Sequence, residues 1–300
     1  MSRYLLTRVG TLLLSLVLAS VVVFAVLRFL PGDSAGTSLG VGTTSDQLEQ
    51  LRADLGTDQP LWTQYGQWVA GLFSGSAGTS FVSRLPVGEL IASKLPITLP
   101  LSLAAFVVSV LVSVPLGVVA AVRRRGVVGV TVSAVSQLGV AVPVFWVGVI
   151  LVWVFALEAG VLPVATVAIA MSSVMVRYVR SATLDVLDQD YVRTARSLGY
   201  GRWHALARHG LRNGAVPVVA ILGIELATSL LGAVVVENVF ALPGLGTLLV
   251  SSVEGRDLPV VQALVLGLTA LVLVTNFLVD LAQRGIDPRL RAGSALGGAR

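Results

Sequence analysis

The stretch LPLSLAAFVVSVLVSVPLGVVAAVRRR, residues 99–125, decides the fold class of this chain. Residues 99–122 contain no charged side chain, and a helix of that length, rising about 1.5 Å per residue, crosses the roughly 30 Å hydrocarbon core of a bilayer. Pro115 is a kink that a membrane helix tolerates. The three arginines at 123–125 predict that the helix ends inside the cell, because cytoplasmic loops are rich in Lys and Arg.

The composition of the whole chain excludes a soluble monomer. Of 300 residues, 55% are hydrophobic and 12% are charged, whereas soluble domains are roughly 25% charged. The apolar residues come in long blocks and only 6% of the chain is aromatic, which favours membrane helices over the alternation of a β-barrel. The chain has no Cys, which excludes disulfide bonds, thiolate metal sites and cysteine nucleophiles.

Five further apolar blocks predict an all-α integral membrane protein with six transmembrane helices. They cover residues 9–27, 127–157, 161–176, 215–236 and 260–281, with Pro143 interrupting the second of them. The block 161–176 is short for a span, at about 24 Å of helix. A cleaved signal peptide is the alternative for 9–27, but the block exceeds an h-region of about 7 to 15 residues and no small-residue cleavage site follows it.

The charged residues predict the topology and the domain limits. Residues 1–30 form an N-terminal transmembrane helix, and 31–94 form a small external subdomain with short amphipathic helices, in which acidic residues outnumber basic ones. Residues 95–292 form a five-helix core with a basic cytoplasmic loop at about 177–213, and 293–300 form a flexible tail. All basic clusters then lie on one side, which places both termini in the cytoplasm and explains the net charge of +5 without a nucleic-acid partner.

Several kinds of chemistry are missing from the sequence. The phosphate-binding loop G-x-x-x-x-G-K-[ST] needs a lysine, and the only lysine, Lys94, lies in ASKLP. The two histidines, His204 and His209, do not form the H-E-x-x-H pattern of zinc proteases, so no metal site is expected. The chain is therefore predicted to be neither an ATP hydrolase nor another enzyme.

The cytoplasmic segment DQDYVRTARSLGYGRW, residues 188–203, is the most informative one for function. It predicts two short helices around a glycine turn at Gly199 and Gly201, where a positive φ costs little. Small residues between 194 and 197 would let another surface approach closely, and Arg193 and Arg196 would suit an acidic rim. A solvated basic loop beside anionic lipid is the alternative.

The heptapeptide RTARSLG, residues 193–199, resembles the EAA loop of ABC importer permeases, in the form used by the dipeptide, oligopeptide and nickel transport family, where Arg-Thr-Ala replaces Glu-Ala-Ala. Further matches follow in order along nearly the whole chain and resemble the first, B-type permease subunit of that family. They are LGTDQP at 55–60, QY at 64–65, RN at 212–213 with Pro217, VENVF at 236–240, PGLG at 243–246, RD at 256–257, PVVQ at 259–262, Asn276, Asp280 and DPR at 287–289.

The resemblance implies the type I ABC importer permease fold, in which the helix before Gly199 is a coupling helix. Such a helix sits in a groove on a cytoplasmic ATPase subunit, and its movement switches the pore between inward-open and outward-open states. The residues expected to couple to the ATPase are Asp190, Tyr191, Arg193, Thr194, Ala195, Arg196, Ser197 and Gly199.

The resemblance also implies partners and location. A second homologous permease would complete the translocation path in the bacterial inner (cytoplasmic) membrane, and an external substrate-binding protein would deliver the solute. Two ATPase subunits or domains would bind ATP and Mg, so this chain itself is expected to hold no cofactor. The external subdomain and the external loop at 237–258 are the expected docking surfaces for the binding protein.

Some positions depart from the family pattern. Ser76 and Ala77 stand where Asp-Leu is usual before Gly78, and Gln283 stands where an aromatic residue is common. The external stretch around residues 161–166 is shorter than usual, which indicates either a short loop or missing residues. These departures affect local contacts rather than the family assignment.

Three polar residues within the predicted spans are candidates for the pore lining: Glu225, Gln137 and Asn276. A charge at mid-membrane costs about 2.5 to 3.5 kcal/mol, so Glu225 should face protein or water. There it would attract a peptide amino group or a cation. The alternative for Glu225 is a protonated carboxyl packed between helices, and for the other two it is hydrogen bonding between helices.

The function expected from the sequence is ATP-driven import of di- or oligopeptides. A nickel importer of the same family is the first alternative. A stand-alone channel or secondary transporter would need intramembrane ion sites in a repeat arrangement, and the sequence has no internal repeat. A non-transporting scaffold is the remaining alternative.

Overall fold

The computed structural model describes residues 2–29, 58–143, 146, 149–150 and 162–286. In these ranges the regular secondary structure is helical, with turns and loops between the helices and an isolated bridge between Thr79 and Pro86, so the all-α prediction is confirmed. The elements are α1 Ser2–Phe29, α2 Leu61–Phe73, α3 Val87–Val122, α4 Val127–Ala141, α5 Leu162–Leu187, α6 Asp190–Ser197, α7 Arg202–Ala205, a π-helical turn Leu206–Gly210, α8 Leu211–Val239, α9 Leu245–Glu254 and α10 Leu258–Ile286.

Within the described residues, 4 helical segments are long and apolar enough to cross a membrane. They are Tyr4–Leu27, Val87–Val122, Pro217–Val239 and Leu258–Arg284, which match the first, second, fifth and sixth predicted spans. α4 covers the start of the predicted third span, most of whose remainder lies outside the described residues. Most of the predicted external subdomain before residue 58 and the tail 293–300 also lie outside them.

Two helices extend beyond the apolar blocks that predicted them. α3 begins at Val87 rather than near residue 99, because Val87, Leu90, Ile91 and Leu95 recur at helical spacing and pack into a core. With 36 residues it is about 54 Å long and so exceeds the thickness of the bilayer core. α5 continues past residue 176 to Leu187, and its buried Val179 and Val186 supply the apolar contacts for this extension.

One compact unit contains Val9–Thr98 and Ala241–Leu273. Its core is the buried cluster Val87, Leu245, Val260, Ala263 and Leu264. The backbone N–H of Leu245, at the start of α9, donates a hydrogen bond of 2.9 Å to the buried Thr98 hydroxyl. The loop predicted at 237–258 thus contains a helix of 10 residues, α9, which is apolar enough to pack although it is too short to span the membrane.

Asp257 joins the turn before α10 to the loop between α2 and α3. Its buried carboxylate accepts hydrogen bonds from the Ser80 hydroxyl and from the Phe81 backbone N–H, the latter at 2.9 Å. Hydrogen bonds to charged groups contribute about 1.5 to 3 kcal/mol each, and an unsatisfied buried donor costs a similar amount. This carboxylate therefore fixes the loop that carries Ser80.

We expect Asp257→Ala to destabilise this unit by about 2–4 kcal/mol, because it leaves two donors without an acceptor. Asp257→Asn retains one acceptor oxygen and should cost less. The measurement is thermal unfolding of the purified membrane protein, combined with hydrogen exchange at the Phe81 amide. Glu254→Ala removes an exposed carboxylate nearby and is the matched control. Equal unfolding temperatures for Asp257→Ala and Glu254→Ala would contradict the assignment.

The other unit contains Met1–Arg8, Leu99–Phe240 and Val274–Arg300. Its helices approach closely at glycines: a Cβ on Gly117 of α3 would lie 2.7 Å from Val179 Cβ of α5, and a Cβ on Gly223 of α8 would overlap the Val279 side chain of α10. Small residues at helix contacts are typical of membrane proteins. A buried apolar cluster lies between α3, α5 and α8; it comprises Ala105, Val167, Ala168, Met171 and Val236.

Candidate coupling segment and candidate pore residues

The segment predicted to couple to an ATPase, residues 188–203 and named the coupling segment below, consists of α6, a tight turn and the start of α7. Asp190 in the first turn of α6 and Arg196 in the last turn both complement the helix dipole. Gly199 has φ of +93°, which favours glycine. The Gly199 N–H donates to the Arg196 carbonyl and the Tyr200 N–H to the Ala195 carbonyl, at 3.0 and 3.2 Å. This is the Schellman arrangement, and it ends α6 at the predicted glycine turn. The positive φ expected at Gly201 as well is not found, because Gly201 has φ of −65° and an extended backbone before α7.

The inward face of α6 anchors the segment to the permease. Val192 and Ala195, three residues apart and therefore on one face, are both buried. They belong to a cluster whose other buried members are Val122, Val186, Ala205 and Leu206. α6 is therefore held by apolar contacts with α3, α5, α7 and the π-helical turn.

The outward side of the segment is both basic and apolar. Leu198, directly after α6, has 75% of its surface exposed, and Tyr200 and Trp203 are exposed as well. Arg193 and Arg196 are exposed on α6 itself; Arg193 lies 3.7 Å from Asp190, an exposed ion pair that contributes little stability. Exposed large apolar groups grouped with cations are typical of a surface that binds a protein partner.

The structure separates the predicted coupling residues into two groups. Asp190, Tyr191, Arg193, Thr194, Arg196, Ser197 and Gly199 are exposed. Ala195 is only 5% exposed and faces the permease core, so a larger side chain there would disturb the anchoring of α6 rather than a docking surface. The sequence interpretation did not single out Leu198, Tyr200 and Trp203, although all three lie within the segment that it highlighted.

His204 packs against an aromatic side chain. The His204 ring stacks on Tyr200, with 5.0 Å between ring centroids and 4° between planes. No group of three or more potential metal ligands among His, Asp and Glu occurs in the described part of the chain. His204 therefore contributes to the shape of the turn between α6 and α8.

Glu225 lines a cavity between α5 and α8. The cavity has a volume of about 360 Å³, and Tyr178, Thr228 and Glu225 are its polar members. Glu225 is only 6% exposed. The other lining residues are Val167, Ala170, Met171, Val174, Ile221, Ile224 and Gly232. An ionised carboxylate in an apolar cavity is costly unless a cation pairs with it, so the cavity suits either a bound cationic group or a neutral carboxyl packed between helices.

The other two pore candidates lie elsewhere. Gln137 on α4 and Asn276 on α10 are exposed, and neither lines the cavity that contains Glu225. A polar side chain exposed on a membrane helix faces a partner helix or water rather than lipid. In the described residues, Glu225 therefore shares its cavity with neither Gln137 nor Asn276.

Comparison with known proteins identifies the family. Residues 113–292 match the model of the binding-protein-dependent transport system inner membrane component, and residues 1–104 match the model of its N-terminal region. A Brucella abortus protein named as a peptide transport system permease is 36% identical over 97% of this chain and 99% of its own length. The glutathione transport system permease protein GsiC of Escherichia coli K12 has the same identity and the same coverage of both chains.

The fold comparison agrees. An inward-facing structure of the MetNI methionine ABC transporter aligns with a TM-score of 0.60, 19% identity, and coverage of 66% of this chain and 97% of that one. This similarity confirms the predicted type I ABC importer permease fold. With two family models that together match most of its length and relatives that align with nearly all of it, the chain belongs to the inner membrane permease family of binding-protein-dependent ABC importers, a family of multi-pass bacterial membrane proteins.

Proposed function

We propose that this chain is the permease subunit of an ATP-driven importer of di- and oligopeptides, including glutathione-like peptides. The relatives named for peptide and glutathione transport support the substrate class. The observation that carries the mechanism is the coupling segment, which is anchored by Val192 and Ala195 and presents Leu198, Trp203 and the arginines outward. A segment of this form can receive motion from one surface and pass it to another.

Partner proteins supply the remaining parts of the importer. A second homologous permease completes the translocation path, and two cytoplasmic ATPase subunits or domains bind ATP and Mg. Both termini and the coupling segment lie on the cytoplasmic side. The external binding protein docks on the opposite side, where Trp62 and Phe73 of α2 and Val82 of the following loop expose apolar surface.

The substrate is tested in proteoliposomes that contain the complete complex of both permeases, the ATPase subunits and the binding protein. We expect ATP-dependent uptake of labelled dipeptide or glutathione, and no uptake when the binding protein is omitted. ATP-dependent uptake of nickel without peptide uptake would support the metal-importer alternative instead. Uptake by this chain alone, without ATP, would support a channel or secondary transporter and overturn the proposal.

The same assay tests Glu225 as a residue of the translocation path. If its carboxylate attracts the peptide ammonium in the cavity, Glu225→Gln should lower uptake about tenfold, the effect of losing roughly 1.4 kcal/mol of a charge-assisted contact. Glu254→Gln makes the same change on an exposed part of α9 and is the matched control. If Glu225→Gln transports like the wild type at every pH tested, Glu225 is a packing residue and not part of the path.

A further inference from the structure

A hydrogen bond joins the coupling segment to the end of a helix that is distant in sequence. Arg202, at the start of α7, donates a hydrogen bond of 3.3 Å from Nη1 to the carbonyl oxygen of Val122, the last residue of α3. The last carbonyls of a helix have no partner within the helix, and a cation at this end also complements the helix dipole. Arg202 therefore caps the cytoplasmic end of α3.

A second polar contact joins the same two regions. Arg124 lies just beyond the end of α3, and its guanidinium is 3.4 Å from the carboxylate of Asp188, between α5 and α6. Both side chains are partly exposed, so this ion pair by itself stabilises little. Together with the Arg202 bond, it gives one polar contact from a residue before α6 and one from a residue after α6 to the end of α3.

An apolar contact joins the same elements. Val122 is buried in the same cluster as Val192 and Ala195, the two inward residues of α6, and Val192 is fully buried. α3 also touches α5 at Gly117, where an added Cβ would lie 2.7 Å from Val179 Cβ. Packed interiors transmit displacement because they deform little. A displacement of α6 would thus move the ends of α3 and α5 as a pair.

Chain connectivity does not require this arrangement. α6 follows α5 directly and leads through α7 into α8, so these helices would move with it in any case. α3 is not adjacent to the coupling segment in the chain, and the side-chain contacts described above link the two. We infer that Arg202 and Val192 are positioning residues that make the cytoplasmic end of α3 follow the coupling segment, so that ATPase motion also reaches α3. This inference rests on the proposed function.

The first test measures solute transported per ATP hydrolysed in the reconstituted complex. Arg202→Gln should lower this ratio about fivefold while assembly and ATP hydrolysis persist, the size of effect that a modest coupling energy produces. Arg202→Lys keeps a cationic donor and should restore most of the ratio. Arg208→Gln removes an exposed arginine from the π-helical turn and should leave the ratio unchanged. Adding Val192→Ala to Arg202→Gln should lower it further.

The second test measures the movement itself, and the absence of Cys from the chain makes spin labelling simple. Cysteines replace the exposed Arg125, beyond α3, and Gly201, where an added Cβ meets nothing within 4 Å. The distance between the labels should stay constant to within about 2 Å between nucleotide-free and ATP-bound complexes, the scale of interface helix shifts. With Arg202→Gln it should change by more than that.

The outcomes are distinct. An uptake ratio in Arg202→Gln equal to that of the wild type and Arg208→Gln would overturn the inference and leave the proposed function intact. A nucleotide-dependent distance change in the wild type as large as that in Arg202→Gln would overturn it as well. A wild-type complex without ATP-driven uptake would overturn the proposed function, and this inference with it.

Discussion

Replacing Leu198 with aspartate should reduce both ATPase association and ATP-driven transport by at least about thirtyfold. Leu198 exposes most of its side chain directly after α6, and Trp203 of the same segment is also exposed. Apolar residues in this situation become binding hot spots that contribute about 2 kcal/mol or more when a partner covers them. A carboxylate at the same position would have to be desolvated without a partner, which adds a further cost.

The measurement for Leu198→Asp is co-purification of the permease with its ATPase, followed by ATP hydrolysis and uptake in proteoliposomes. Leu85→Asp makes the same change at an exposed leucine of the loop between α2 and α3, which is predicted to be external, and should leave ATPase association unchanged. If Leu198→Asp assembles, hydrolyses ATP and transports as the wild type does, the outward side of the coupling segment is not the docking surface.

The second large effect is expected at Gly117, where α3 and α5 are in closest contact. A Cβ there would lie 2.7 Å from Val179 Cβ and 3.0 Å from the Val176 carbonyl oxygen, and neither atom belongs to a flexible side-chain end. Overpacking of this kind typically costs about 1–3 kcal/mol. We therefore expect Gly117→Ala to lower the unfolding temperature and to reduce transport, because α3 and α5 must separate.

A glycine in the same helix is the matched control for Gly117. Gly88 also lies in α3, but an added Cβ there has nothing within 4 Å. Gly88→Ala should be neutral or stabilise by up to about 1 kcal/mol, since alanine favours the helix. Thermal unfolding of both variants in detergent measures the difference. If the two variants unfold at the same temperature, the close approach of α3 and α5 at Gly117 does not exist in the folded protein.

The helix cores were predictable from the sequence, whereas several ends were not. An uncharged run such as 99–122 is apolar enough to identify a span by itself. The start of α3 at Val87 depends on packing against Leu245 and Val260, which are distant in sequence. α9 lies in a stretch that was predicted to be a loop. The sequence did not indicate it for a similar reason, because its start is held by the hydrogen bond from Leu245 to the distant Thr98. The hydropathy of neighbouring residues gives no information about either of these long-range contacts.

The candidate coupling segment was likewise predictable from the sequence only in part. The heptapeptide 193–199 marked the coupling segment, and the glycine turn at Gly199 followed from the residue type. The inward orientation of Ala195 could not be predicted, because it depends on Val122 at the end of another helix. The bond from Arg202 to Val122 was equally inaccessible, since nothing near either residue in the sequence points to the other.

ATP-driven peptide import through the coupling segment can be measured as uptake of labelled dipeptide into proteoliposomes that contain the complete complex. Wild-type permease and Leu198→Asp are compared in parallel. We expect wild-type uptake to require both ATP and the binding protein. We expect Leu198→Asp to abolish uptake although the permease remains folded. Uptake that is independent of ATP, or that persists undiminished in Leu198→Asp, would contradict these expectations.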